Sequence, residues 1–175
     1  MWYQGDNKVL DEPKIYLDGS YKDFGYGCYC TNFEKQAKRW ALTKKNKHVV
    51  NVYSYTENKN LNCLIFKEMS DEWLDFVVSS RQGERHDYDI VEGPMADDTI
   101  WNYVDDFTRG FISRTAFWEL VKFKYPTHQI LFCTEAAFFL VNLLINVDFP
   151  TLGIPTTIAR IGRFKIPLRR SRSIF

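Results

Sequence analysis

Several things are scarce in these 175 residues. Cysteine occurs four times (Cys28, Cys30, Cys63, Cys133), never with the two-residue spacing of a redox or zinc motif. That spacing, in a chain of this length, argues against a disulfide framework and points to free thiols in a reducing cytoplasm. Only three histidines are present, and His48, His86 and His128 lie too far apart to form a ligand motif or a nucleophile–base arrangement. The net charge is +1, so the whole molecule offers no electrostatic argument for nucleic-acid binding. No stretch has a signal-peptide profile. The longest apolar run, from Ala136 to Asp148, includes Asn142 and Asn146, is too short to span a bilayer and is expected to form a buried helix. Nothing implies membrane insertion.

Aromatic residues are abundant, at 17% of the chain, which favours a packed core or a stacking pocket over a disordered regulator. The length fits one main domain. Charge is unevenly placed. Arg160, Arg163, Lys165, Arg169, Arg170 and Arg172 all follow Phe149 with no acid among them, leaving −5 for residues 1–148. We divide the chain into a domain at 1–147 and a basic, proline-containing tail at 148–175, expected to be extended and partly mobile. That tail is either a solvated basic segment or a contact for an acidic partner or RNA.

Alternation and β-branched or aromatic content predict strands at Trp2–Tyr3, Ile15–Leu17, Cys28–Thr31, His48–Thr56, Leu61–Lys67, Tyr88–Glu92 and His128–Cys133. Leu61–Lys67 is expected beside His48–Thr56 as its antiparallel neighbour, and Gly93-Pro94 to stop the strand before it. Asp11-Glu12-Pro13 and Asp23-Phe24-Gly25-Tyr26-Gly27 read as turns. Thr31 and Glu34 have capping-box spacing, predicting a helix over about 32–44 with Phe33, Ala37, Trp40 and Ala41 on its inner face. Ser70, Asp97 and Ser113 are placed to cap three further helices. Asp97-Asp98 reads as helix capping, not as a metal pair. Strands mixed with short helices, without strict βαβ alternation, indicate an α+β fold.

The turn, strand and helix between Lys22 and Leu42 aim Tyr29 and Trp40 toward one another. With the segments Trp2–Asp6, Asp23–Asn32, Trp73–Val78, Tyr88–Thr99, Gly110–Ser113 and Gln129–Ala136, this order resembles the ADP-ribosyltransferase superfamily, and within it an uncharacterised bacterial domain family. The resemblance covers about residues 1–140. It implies split mixed β-sheets with short flanking helices, NAD as substrate and no metal. It also implies transfer of ADP-ribose to a protein or nucleic-acid acceptor, as a toxin or defence effector with an antitoxin-like protein partner. By the same resemblance Gln4, Gly5, Tyr29 and Trp40 bind nicotinamide and its ribose, Trp40 standing eleven residues after Tyr29. Tyr29, Gln129 and Glu135 are then the catalytic candidates.

The chemistry accounts for these residue types. Nicotinamide leaves from a ribosyl cation-like state, which needs a flat slot, oriented hydrogen bonds and an anion near the developing charge. Gln4 stands where the superfamily has His, and Gln129 where its efficient members have Glu. A neutral amide orients a ribose hydroxyl but cannot balance a cation. The competing expectation is therefore a weak or inactive NAD-binding or protein-interaction module. A third is an RNA-directed transferase guided by the basic tail.

Overall fold

Seven residues from Val49 to Tyr55, rich in Val and Tyr, form one of the longest strands in the sheet. The structure is a computed structural model that describes residues 1–10, 22–56, 58–138 and 141–148. In chain order the elements are β1 (Trp2–Asp6), β2 (Cys28–Thr31), α1 (Glu34–Leu42), β3 (Val49–Tyr55), β4 (Cys63–Ile65) and α2 (Asp71–Arg81). They continue with β5 (Ile90–Pro94), α3 (Asp98–Thr108), α4 (Arg114–Val121), β6 (His128–Phe132), α5 (Glu135–Phe138) and β7 (Val141–Asp148). The strands form one mixed sheet in the order β4-β5-β6-β2-β1-β3-β7, antiparallel except for the parallel pair β4·β5. The fold is α+β, as expected.

The caps expected at Ser70, Asp97 and Ser113 form: each side-chain oxygen accepts from a backbone N–H in the first turn of α2, α3 or α4. These three helices bury Trp73, Leu74, Val77, Ile100, Val104 and Phe117 against Val91 and Leu131 of β5 and β6. At the other end α1 packs Ala37 and Ala41 on Val50 and Val52 of β3. Strand alternation and the sheet register put Val50, Gly5, Tyr29, Leu131 and Val91 on one face. Both helical groups therefore cover the same face, and a gap separates them.

Four expectations are corrected. The apolar run after Ala136 is not a helix through Asp148. Among the described residues of that run only Glu135–Phe138 is helical, and Val141–Asp148 pairs antiparallel with β3 across seven residue pairs. A short apolar run fits a buried helix or a strand equally by pattern, and the open edge of β3 decides for the strand. Leu61–Lys67 contributes only Cys63–Ile65, which pairs parallel with β5, because β1 and β7 already occupy both edges of β3. Gly93 and Pro94 still pair with β6, so β5 runs two residues past Glu92 and ends at Pro94 itself. Finally, Thr31 and Glu34 form no capping box. Thr31 Oγ1 accepts from Phe33 N–H at 3.1 Å and donates to Gln36 Oε1 at 2.6 Å, while Glu34 pairs with Lys38. The inner face of α1 is Gln36, Ala37 and Ala41, with Phe33 exposed. The turn at Asp11–Pro13, the strand at Ile15–Leu17 and the tail from residue 149 lie outside the described residues.

Candidate functional site: a cleft where the sheet divides

Between β1 and β2 only Tyr3 and Thr31 are in register, whereas β1 holds β3 by five residue pairs and β2 holds β6 by four. The two strands part beyond that contact. Gly5 and Tyr29 would be partners in a continuous ladder and instead border an opening. A cleft of about 480 Å³ occupies it, between α1 on one side and the start of α3 on the other, and its lining includes Gln4, Gly5, Tyr29, Trp40 and Gln129. Five of the six residues named from the sequence are thus brought together. Glu135 is not: it is exposed at the start of α5 and does not line the cleft.

Tyr29 is a fixed wall. Its hydroxyl accepts from Phe24 N–H at 3.0 Å and donates to the Gly25 carbonyl at 2.8 Å, tying the preceding turn to β2. His86 Nε2 holds the Phe24 carbonyl at 2.9 Å, and the Phe24 ring is fully buried. Burial, with Asp23 nearby, raises the Tyr29 hydroxyl well above its ordinary pKa, so it stays protonated and able to donate. The turn needs Gly27, whose φ of +151° and contact with the Phe132 carbonyl leave no room for a Cβ.

Gln4 and Gly5 face opposite ways, as neighbours on a strand must. Gln4 Nε2 donates to Cys28 Sγ at 3.4 Å and its Oε1 accepts from Tyr53 at 3.3 Å, on the side of the sheet away from Tyr29. It still borders the cleft because β1 and β2 have separated. Gly5 is demanded first by packing, since a Cβ there would sit 2.2 Å from the Ala37 carbonyl oxygen of α1. Trp40, half-buried on that helix, follows from the same close approach.

Two features of the cleft escaped the sequence reading. The first is a buried charge network. Asp23 is 5% exposed, and its Oδ1 accepts from Arg81 Nη2 at 2.6 Å. Its Oδ2 accepts from Ala96 N–H and from Gln129 Nε2, each at 2.9 Å. Arg81 also donates to the Trp101 carbonyl at 3.2 Å, and its guanidinium lies 3.5 Å over the Trp101 ring in the cleft wall. The network joins the turn (Asp23), α2 (Arg81), the segment before α3 (Ala96), α3 (Trp101) and β6 (Gln129), and the two side chains bonded to Asp23 lie 58 and 106 residues away. No local pattern signals them.

The second feature is a pair of lysines. Lys22 and Lys44 both line the cleft, and the Lys22 ammonium lies 4.8 Å from the centre of the Tyr29 ring. Burial lowers the Lys22 pKa; Cys28 opposes this and repulsion from Lys44 adds to it. Asp6 and Asp23 line the cleft too, but Asp23 is held by Arg81, which leaves the two lysines as cations available to an anionic group.

All four cysteines are free, with Cys28 and Cys30 buried. Burial, then the neighbouring Asp89, pushes the Cys133 thiol up to about 12. A thiol in the unfolded chain ionises near 9.0, so deprotonation between those limits is favoured only there. Cys133 therefore adds stability below pH 9 that is lost as pH rises toward 12. Alkylation of Cys133 at pH 9, followed by peptide mass spectrometry, is expected to be more than tenfold slower in the native protein than in urea; equal rates would contradict its burial. Among the described residues no group of three or more His, Cys, Asp or Glu side chains could hold a metal, and no helix is long and apolar enough to cross a membrane.

The fold and cleft define an α+β protein with a ligand-sized opening in a divided mixed sheet. The chain belongs to the family described as protein of unknown function (DUF3990), whose model matches residues 1–143. Comparison with curated proteins and with solved structures found no match.

Proposed function

We propose that this protein is an ADP-ribosyltransferase-like enzyme that binds NAD in the cleft between β1 and β2. The observation that carries the reading is the meeting of Gly5, Tyr29, Trp40 and Gln129 around one opening, from positions matched to the superfamily's pattern. The cleft volume of about 480 Å³ lies in the range of small-molecule sites. Its make-up suits the ligand: aromatic walls for the nicotinamide ring, Lys22 and Lys44 for the diphosphate, and the Gln129 amide for a ribose hydroxyl.

In the proposed reaction the nicotinamide–ribose bond breaks and nicotinamide leaves with the bonding electrons. An acceptor nucleophile then bonds to the anomeric carbon and gives up its proton. The acceptor is a protein or nucleic acid, in keeping with a toxin or defence effector restrained by an antitoxin-like partner. Tyr29→Ala is expected to abolish nicotinamide release from NAD, followed by chromatography. Tyr29→Phe keeps the ring and loses two hydrogen bonds, so its rate is expected to stay within about tenfold of the parent. Full activity of Tyr29→Ala would remove Tyr29 from the site.

A second reading is a binding module with little or no turnover. It is favoured by the position of Glu135, exposed and outside the cleft lining, which leaves no glutamate among the six candidates within the cleft. Calorimetry with NAD separates both readings from a pure interaction domain, which would show no binding at millimolar ligand.

A further inference from the structure

We infer that Asp23 is the positioning residue of this cleft, holding the Gln129 amide so that its carbonyl oxygen, and not its amino group, faces the bound ribose. The inference rests on the transferase reading above. A carboxylate only accepts hydrogen bonds, so the group that Gln129 turns toward Asp23 Oδ2 at 2.9 Å is its NH₂. The Gln129 Oε1 must then point elsewhere. No donor among the described residues bonds it, and Gln129 lines the cleft at 4% exposure. The result is a fixed, partly negative oxygen beside the place where a ribosyl cation would develop, and an acceptor for a ribose hydroxyl.

Asp23 can do this because it is held from two further sides. Arg81 Nη2 takes Oδ1 at 2.6 Å, and Ala96 N–H shares Oδ2 at 2.9 Å. Arg81 is itself set by the ring and carbonyl of Trp101. With no carboxylate at position 23 the two orientations of the Gln129 amide would lose their difference, and either the donor or the acceptor would face the ligand. The geometry also explains why a neutral amide stands at 129. A second carboxylate there would meet the first at hydrogen-bond distance, and the two would have to share a proton.

The test uses three variants of the full chain: Asp23→Asn, Gln129→Glu, and the exchange Asp23→Asn with Gln129→Glu. Nicotinamide release from NAD and calorimetric affinity for nicotinamide are measured between pH 6 and 9. Asp23→Asn is expected to lower kcat by about 10²-fold, as misplacement of an orienting group does, while nicotinamide affinity changes less than about threefold. Gln129→Glu is expected to be slow at pH 8 and to recover as pH falls, because the protonated carboxyl at 129 donates to Asp23 as the amide does. The charged and titratable side chains around this pair are Arg81 on α2, Tyr29 and Cys28 on β2, Lys22 in the turn, and across the same cleft Asp6 on β1 and Lys44 after α1. The exchange keeps one carboxylate and one amide facing each other and an acceptor for Arg81, but turns an NH₂ toward the Ala96 N–H, so release at pH 8 is expected to recover in part, to about tenfold above Gln129→Glu alone.

If Asp23→Asn does not fold, the Gln129→Glu pH profile and the exchange still decide the matter. Gln129→Glu as fast as the parent at pH 8, a fully active Asp23→Asn, or an exchange no better than Gln129→Glu alone would overturn the role of Asp23 and leave the transferase reading standing. A parent chain that neither binds nicotinamide nor releases it from NAD would overturn the transferase reading, and the role of Asp23 with it.

Discussion

Asp23→Ala is expected to lower the unfolding free energy by about 3–5 kcal/mol, the usual result of removing one partner of a buried ion pair. Arg81 would keep its charge with only 8% of its side chain exposed and no anion beside it. Its Nε is already buried without a hydrogen-bond partner, so the guanidinium has little left to fall back on. Ala96 N–H and the Gln129 NH₂ would lose their acceptor at the same time. In a chain of this size the change corresponds to a fall of roughly 6–20 °C in Tm, read by calorimetry or by urea unfolding. The control is Arg81→Met added to Asp23→Ala. It removes the stranded charge and is expected to be more stable than Asp23→Ala alone, which additive effects of the two changes would contradict.

The second large effect belongs to Gly5→Ala. The added Cβ would lie 2.2 Å from the Ala37 carbonyl oxygen and 2.6 Å from the Ala41 nitrogen. Both are backbone atoms of α1, so no side-chain rotation relieves the overlap and the helix has to move. Overpacking of this kind costs about 1–3 kcal/mol. Here α1 resists displacement, because Ala37 and Ala41 are fully buried against Val50 and Val52 and His48 Nδ1 holds the Ala41 carbonyl at 2.9 Å. Moving α1 also moves Trp40, so nicotinamide affinity is expected to fall at least tenfold together with stability. Wild-type stability and affinity in Gly5→Ala would show that the helix does not press on β1 as closely as described.

Gly5 illustrates how one residue supports two arguments. The resemblance assigns it to the ligand, and a residue without a side chain leaves its backbone N–H and C=O reachable. Packing explains it equally well, because the strand carries glycine where the helix crosses it. The two agree in their consequence: a helix seated that close brings Trp40 to the edge of the opening.

Much of the architecture is local in origin. Ser70, Asp97 and Ser113 cap their helices because a short side chain ahead of an amphipathic run satisfies free N–H groups wherever the fold puts it. Cys28–Thr31 and Val49–Tyr55 are strands because Val, Tyr and Thr favour an extended backbone, and their side chains are largely buried on both faces of the sheet. Positions where neighbours decide are not legible in this way. Thr31 preferred Gln36, a partner across the strand–helix junction, to the helix end three residues away. Val141–Asp148 took the free edge of β3 and became strand, although its apolar run also fits a buried helix.

The candidate site divides along the same line. Tyr29, Trp40, Gly5 and Gln129 could be named from residue type, spacing and resemblance, since each sits in a short signature. That β1 and β2 separate after a single registered pair could not, because strand separation depends on α1 and on the helices over β5 and β6 covering the same face with a gap between them. Nor could the carboxylate of Asp23, which joins Arg81 and Gln129 across 58 and 106 residues of chain. Element type and helix ends follow from interactions a few residues long, and these the chain carries wherever it is placed. A cleft and a buried ion pair are built by chain segments that meet only on folding, and they exist only in three dimensions.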